Sequence, residues 1–214
     1  MVEIPLFPLN TVLFPNMPLP LRIFEARYQE MLRFCLANKS PFGVVLIKEG
    51  QAEFGPLALP CDVGTTAEIV EVQPHEGQSL IVTMGMRRFR IVTLKQERPY
   101  LTADVEYIPL MTKSIQEATR LASALQPLVW VYLQKLNELD NTYVELDQFP
   151  PDAKTFANLA AGLIQIGSHE KQILLEEDET EGLLKKLTQL YKRELVLLRT
   201  LPTHKDDLAP FSLN

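Results

Sequence analysis

The chain has 214 residues and a mass of 24.3 kDa, long enough for one large domain or two small ones around a substantial core. Hydrophobic residues make up 46% and charged residues 22%, ordinary values for a globular protein, so wholesale disorder is excluded. Twenty-one Lys and Arg stand against 27 Asp and Glu, and the resulting net charge of −6 argues against nucleic acid as the main partner.

Proline and glycine are unevenly spread. Residues 1–110 hold 11 of the 16 prolines and 6 of the 9 glycines, so this part reads as short strands and turns and the rest as helices, with a boundary near Met111-Thr112-Lys113. Ile4 to Phe7 and Thr11 to Phe14 are expected as short strands punctuated by Pro5, Pro8 and Pro15. One helix follows: from Phe24, the apolar residues Tyr28, Met31, Leu32 and Cys35 recur at three- and four-residue spacing and share a face. On this pattern Phe24 begins the buried face, and its truncation is expected to be costly. Phe42 to Ile47 is a β-branched run ended by Lys48-Glu49-Gly50. Thr65 to Val72, Leu80 to Thr83 and Phe89 to Leu94 are further strands, the first two joined as a hairpin by His75-Glu76-Gly77. Tyr100 to Ile108 alternates apolar and polar residues, as a half-buried strand does. Strands of this number with one helix point to a closed or nearly closed small barrel, which hides its edges.

The second part opens with Ser114-Ile115-Gln116-Glu117, a capping box. A long helix pattern follows through Leu121, Leu125, Val129, Tyr132, Leu136 and Leu139, with Pro127 expected to kink or divide it. Pro150-Pro151-Asp152 stops the chain and caps a helix over Phe156, Leu159, Leu163 and Ile164. A short helix over Ile173 and Leu174 comes after Gly167-Ser168. Asp178 to Glu181 then launches a last helix with Leu183, Leu184, Leu187, Leu190, Leu195 and Leu198 on one stripe. Pro202 is expected to end it, leaving 203–214 as a loose tail.

Chemistry-bearing residues are sparse. Two cysteines, Cys35 and Cys61, exclude a disulfide scaffold, a four-Cys zinc site and a RING finger. Cys35 lies on the apolar helix face and reads as an inert buried thiol. His75, His169 and His204 have no metal-ligand spacing, so neither metal nor cofactor is expected. Arg27 either clamps a substrate carboxylate or pairs locally with Glu25 at the helix start. Arg87, Arg88 and Arg90 form the one dense basic cluster. It reads either as a site for a phosphate or acidic peptide, or as a solvated strand face beside Glu68 or Glu71. Met17, Met84 and Met86 flank turns, and with Leu13, Phe14, Pro18 and Leu19 they offer an apolar groove for unfolded chains, methionine being adaptable. The alternative is ordinary core and loop packing. No apolar stretch is long enough to span a bilayer, and Met1-Val2-Glu3-Ile4-Pro5 carries no signal-peptide pattern, so a soluble cytoplasmic protein with no membrane partner is expected.

Residues 4–34 resemble the opening of the Lon protease N-terminal domain, the Lon substrate-binding domain. The resemblance is carried by Ile4-Pro5-Leu6-Phe7-Pro8-Leu9, Val12-Leu13-Phe14-Pro15, Leu19-Pro20-Leu21 and Ile23-Phe24-Glu25-Ala26-Arg27-Tyr28. Phe42-Gly43-Val44-Val45, Asp62-Val63-Gly64-Thr65, Gly85 to Ile91, Pro99-Tyr100-Leu101 and Lys171 to Glu176 continue it in order. The implied fold is α+β: an N-terminal PUA-like β-barrel with one inserted helix over residues 1–110, then a C-terminal helical bundle over 111–214. No Gly-x-x-x-x-Gly-Lys-Ser/Thr loop is present, and the chain is too short for an added ATPase or serine–lysine protease module. The resemblance therefore implies a stand-alone, non-enzymatic member that binds peptides or partly unfolded protein segments, as an adaptor or regulator near proteolysis with a protease or chaperone as partner. Phe14, Met17, Leu19, Met84, Met86 and Arg88 are its candidate substrate-binding residues. The alternative is an RNA-binding PUA-like protein, and an enzyme acting on a small molecule is the least supported reading.

Overall fold

The change of composition near Met111 separates strands from helices. A computed structural model describes residues 1–49, 58–75, 77–140 and 148–200, and there it places six strands and one helix before Met111 and four helices after it. The strands are β1 (Val2–Leu9), β2 (Pro18–Ile23), β3 (Phe42–Glu49), β4 (Leu59–His75), β5 (Gln78–Lys95) and β6 (Thr102–Tyr107), with α1 (Ala26–Asn38) between β2 and β3. The later helices are α2 (Ile115–Asp140), α3 (Ala153–Leu163), α4 (Ser168–Leu175) and α5 (Thr180–Thr200).

One sheet runs in the order β2-β5-β4-β3-β1-β6, and β5 pairs with β6 as well. β1 changes partner midway: Val2 to Pro5 lie antiparallel to β6, and Leu6 to Leu9 lie parallel to β3. β2 pairs with β5 alone, and Pro18 and Pro20, which lack a backbone donor, suit such an edge. The expected strands Leu80–Thr83 and Phe89–Leu94 are one long β5. The hairpin is present, with His75 paired to Gln78 and Gly77 at φ 78°; Glu76 and Gly50 lie outside the described residues.

Thr11 to Phe14 is not a strand. The chain turns at Asn16 (φ 64°), and backbone bonds from Asn16 N to Gly85 O at 2.7 Å and from Gly85 N to Met17 O at 2.9 Å lock the turn onto β5. A Cβ at Gly85 would strike the Phe14 carbonyl oxygen, so the close approach requires glycine. Val12, Leu13 and Phe14 are driven inward as a result.

Three apolar clusters hold the molecule. One surrounds Phe89 with Ile4, Leu6, Val45, Leu101, Ala103 and Val105. Here Gly43 and Gly64 make room for the ring, since a Cβ at either would lie 2.6 or 2.8 Å from Phe89 Cζ. A second lies beneath α1, whose Tyr28, Met31, Leu32 and Cys35 are buried as the periodicity requires. Phe24 breaks that expectation. Helical geometry begins only at Ala26, so Phe24 falls outside the helical phase and is 40% exposed. Arg27 pairs locally, 2.7 Å from Glu25 and 4.7 Å above the Tyr28 ring.

The third and largest cluster joins Leu125, Val129, Tyr132, Phe156, Leu183, Leu184, Leu187 and Tyr191 of the helices to Val12, Phe14, Leu46 and Val63 of the sheet half. Its members on α5 follow the expected stripe. Tyr191 donates from its hydroxyl to Ala160 O at 2.8 Å, and Tyr132 accepts from Gln165 N at 2.9 Å, so both buried phenols are satisfied. α2 runs unbroken through Pro127. The capping box at its start is half formed: Glu117 N donates to Ser114 Oγ at 3.3 Å, but the Glu117 carboxylate turns to Arg120. The place of its reciprocal bond is taken by Glu181 at the start of α5, which accepts from Ser114 N at 2.6 Å. Pro202, His204 and the expected tail lie outside the described residues.

Candidate functional site

One of the two breaks in the β4–β5 ladder, between Thr65 and Ala67, defines the site. Thr65 pairs with Arg88 and Ala67 with Gly85, so three steps along β5 answer two along β4, and one extra residue bulges out at Met86-Arg87. The Thr66 hydroxyl stands in for the lost ladder bonds, accepting from Arg87 N at 3.1 Å and lying 3.2 Å from Arg87 O, to which it donates. The bulge exposes two consecutive side chains and then buries two. Met86 is 45% exposed with Arg87 beside it, whereas Arg88 and Phe89 are buried.

Two clefts flank this bulge, and Met86 and Arg87 line both. The larger, about 450 Å³, lies toward α1 and is walled by Leu36, Lys39, Pro41, Glu68 and Ile69. The smaller, about 290 Å³, lies where β6 leads toward the helices and the first turns of α3 face Pro15 and Asn16. Arg87 stands between them with its guanidinium 3.8 Å from the Tyr107 ring centre, a cation–π contact that fixes a long side chain at a rim.

Arg88 belongs to the seam between sheet and helices. It is 5% exposed, and its Nη1 donates to Leu175 O at 2.6 Å and to Glu177 O at the end of α4. Burial lowers its pKa, with Asp178 and Glu177 working the other way. Gln172 Nε2 adds a bond to Val63 O at 3.0 Å, and Met111 exchanges backbone bonds of 2.8 Å with Asp178 and Thr180. The arginine cluster therefore divides. Arg88 and Arg90 do alternate with Phe89, but the helices cover Arg88 and leave Arg90 exposed. Arg88 is not on a solvated face: its pull is on carbonyls at a helix end, where cations are favoured.

The other candidates separate in the same way. Phe14, at 1% exposure, and Leu13 are core residues and line no open groove, because the Asn16 turn folds their segment under β5. Met17 is a half-buried bolt packed on two clusters, with its thioether against Gly162 of α3. Leu19 packs on the α1 cluster, and Met84 is half-buried opposite Pro18 and Glu68. Met86 alone of the three methionines is both exposed and on a cleft. Arg87, one of the sequence's basic cluster, lines both clefts, and Leu36, Lys154 and Asn158, which escaped sequence reasoning as site residues, line one each. An isolated Gly85 inside a strand pattern was the signal that a bulge, and so two outward side chains, follows it. Cys35 is buried and its thiol is pushed up to about 11, first by burial, as expected of an inert residue. Among the described residues no group of His, Cys, Asp and Glu is placed to hold a metal ion, and no helix is long and apolar enough to cross a membrane.

The family model for the substrate-binding domain of the ATP-dependent protease La (Lon) matches residues 3–193. This chain belongs to the Lon substrate-binding domain family. Lon protease 2 of Myxococcus xanthus is 29% identical over 199 residues, covering 92% of this chain and 24% of that protein. The Lon protease of Anaeromyxobacter dehalogenans is 28% identical over 201 residues with the same coverage. The chain thus spans about a quarter of the length of these curated relatives. Two solved structures share the fold of this Lon domain. A Lon N-terminal domain protein from Xanthomonas campestris superposes with a TM-score of 0.65 at 24% identity, over 94% of this chain and all of that one. The N-terminal domain of the Mycobacterium avium complex Lon protease gives 0.66 at 18% identity, over 89% and 98%. Membership of this family supports a substrate-recognition module.

Proposed function

We propose that the chain is a non-catalytic recognition module that takes peptides or partly unfolded protein segments across the Met86–Arg87 bulge and acts as an adaptor or regulator near proteolysis. The observation that carries this is the match of nearly the whole chain to the Lon substrate-binding domain. The geometry supports it: Leu36 and Met86 are large, exposed and adjacent to clefts deep enough for side chains of an extended segment. Adaptable methionine and a fixed arginine suit a surface that must accept many sequences. The RNA reading has less behind it, because Arg88 Nη1 is bonded to two backbone carbonyls and Arg87 lies over the Tyr107 ring. We also infer that residues 1–110 form a PUA-like barrel, for which the run of pairings β5–β4–β3–β1–β6 and back to β5 speaks, and that 111–214 form its helical subdomain.

The test is fluorescence anisotropy of labelled lactalbumin, reduced and carbamidomethylated so that it stays unfolded, against the native protein. The unfolded form should bind and the folded form should not, and Met86→Glu should weaken binding about tenfold, as loss of a central apolar contact does. Equal binding of both forms, or none up to about 100 µM, would defeat the reading.

A further inference from the structure

The apolar residues of the bulge do not account for the charges beside it. Arg87, Arg88 and Lys154 all line the smaller cleft, and among the described residues lining it there is no Asp or Glu. That is against the trend of a chain with net charge −6. One of these cations is also incompletely bonded. Arg88 Nη1 is satisfied by two carbonyls, but Nη2 is buried with no hydrogen-bond partner among the described residues. A buried charged donor without a partner is costly, and its charge is left unbalanced beside the cleft. The acids nearest to Arg88 do not balance it. Glu177 is held by Lys186 at 2.6 Å, and Asp178 sits with it on the turn into α5.

A helix start faces the same space. Lys154 and Thr155 lie in the first turn of α3, and the buried Asn158 is one turn on. The positive end of a helix favours an anion. Asp152 caps that end, but both of its bonds go to Thr155, at 2.8 Å from the backbone N–H and 2.7 Å from the hydroxyl. Met86, Tyr107 and Ile108 supply an apolar wall.

We propose that the smaller cleft is a carboxylate-binding subsite for a bound polypeptide, with Lys154 as the donor, the charge of Arg88 in the cleft wall adding to it, and the residue next to the carboxylate resting on Met86 and Ile108. Arg88 has its orientation set by the seam, so little freedom is lost when the anion arrives. The subsite rests on the recognition reading above and adds to it a preference for acidic segments. Either an acidic side chain or a chain end supplies the same group.

Three labelled twelve-residue peptides, titrated by anisotropy into the full chain, test this. One alternates Leu and Glu with an amidated end, one alternates Leu and Gln with an amidated end, and one is the Gln peptide with a free carboxylate. The Glu peptide should bind about tenfold more tightly than its amidated Gln counterpart, the worth of one charge-assisted hydrogen bond. Tightening by the free end as well would make the chain terminus a source; no tightening there would make the side chain the source. Lys154→Gln should shrink the Glu-over-Gln preference to about threefold or less. Arg88 is tied into the seam, so Lys154→Gln carries the test. Equal binding of the Glu and Gln peptides, or a preference untouched by Lys154→Gln, overturns the subsite and leaves recognition standing. Failure of all three peptides to bind overturns both.

Discussion

Arg88 and Phe89 are neighbours on β5, yet they hold the molecule together by opposite means. Phe89 faces the strand-lined interior, where the fit is one of shape: two glycines, Gly43 and Gly64, withdraw so that the ring can fill the space. Arg88 faces the helices, where the fit is one of hydrogen bonding to carbonyls of Leu175 and Glu177. The interior around Phe89 is almost fully buried and so closed to outside partners. The seam contains polar groups that have to be aimed, and aiming leaves gaps, such as the open Nη2 and the cleft beside it. The recognition surface proposed above lies at the seam because charged side chains reach a cleft there, which they do not around Phe89.

Truncating Phe89 should have the largest effect. Phe89→Ala leaves a cavity whose nearest walls include Gly43 and Gly64, which have no side chains to fall into it, so a loss of about 3–5 kcal/mol is expected. Urea unfolding followed by circular dichroism measures it. A loss under about 1.5 kcal/mol would mean that the interior relaxes and that its fit is not one of shape. Arg88→Met should come next, at about 2–3 kcal/mol. It keeps the aliphatic stem but strands two carbonyls that a charged donor had served. A change below about 1 kcal/mol would show that apolar packing alone holds the helices to the sheet.

How far these two regions could be read from the sequence follows the same division. Apolar periodicity marked the buried faces of α1 and α5, because a helix face repeats over many residues and averages out local exceptions. The Asp152 cap was legible because its bond to Thr155 is local. Phe24 misled, since being apolar and near a helix is not the same as being in its phase. β2 was missed because Pro18 and Pro20 argue against strands, and only the pairing with β5 makes it one. The fate of Arg88 was invisible, since its partners stand 87 and 89 positions away and are backbone atoms that any sequence would supply. Met86 lines two clefts, but not as a member of a groove with Phe14, which the Asn16 turn does not allow.

The smallest effect is expected on the helix side of the seam. α3 contributes Phe156, Ala157, Ala160 and Ala161 to the core, so its place is held by burial and its cap should add little. Asp152 accepts from Thr155 N at 2.8 Å and from the Thr155 hydroxyl at 2.7 Å, and those bonds hold its carboxyl below the usual value of 3.8. Asp152→Ala should therefore cost about 1 kcal/mol, the usual worth of an N-cap. The dependence on pH has a definite sign. A carboxyl with a depressed folded-state pKa binds fewer protons folded than unfolded, so its contribution is present above pH 3.8 and is lost as pH falls through the lower folded value. The wild type and Asp152→Ala should accordingly differ in urea midpoint at pH 6 and converge as pH drops below about 3.8. A cost approaching that of Arg88→Met would show that the start of α3 is anchored through its cap rather than through its buried face. In that case the first-turn residues Lys154 and Thr155 would be held by a local polar lock, and the contrast between an interior set by shape and a seam set by hydrogen bonds would extend into the helices themselves.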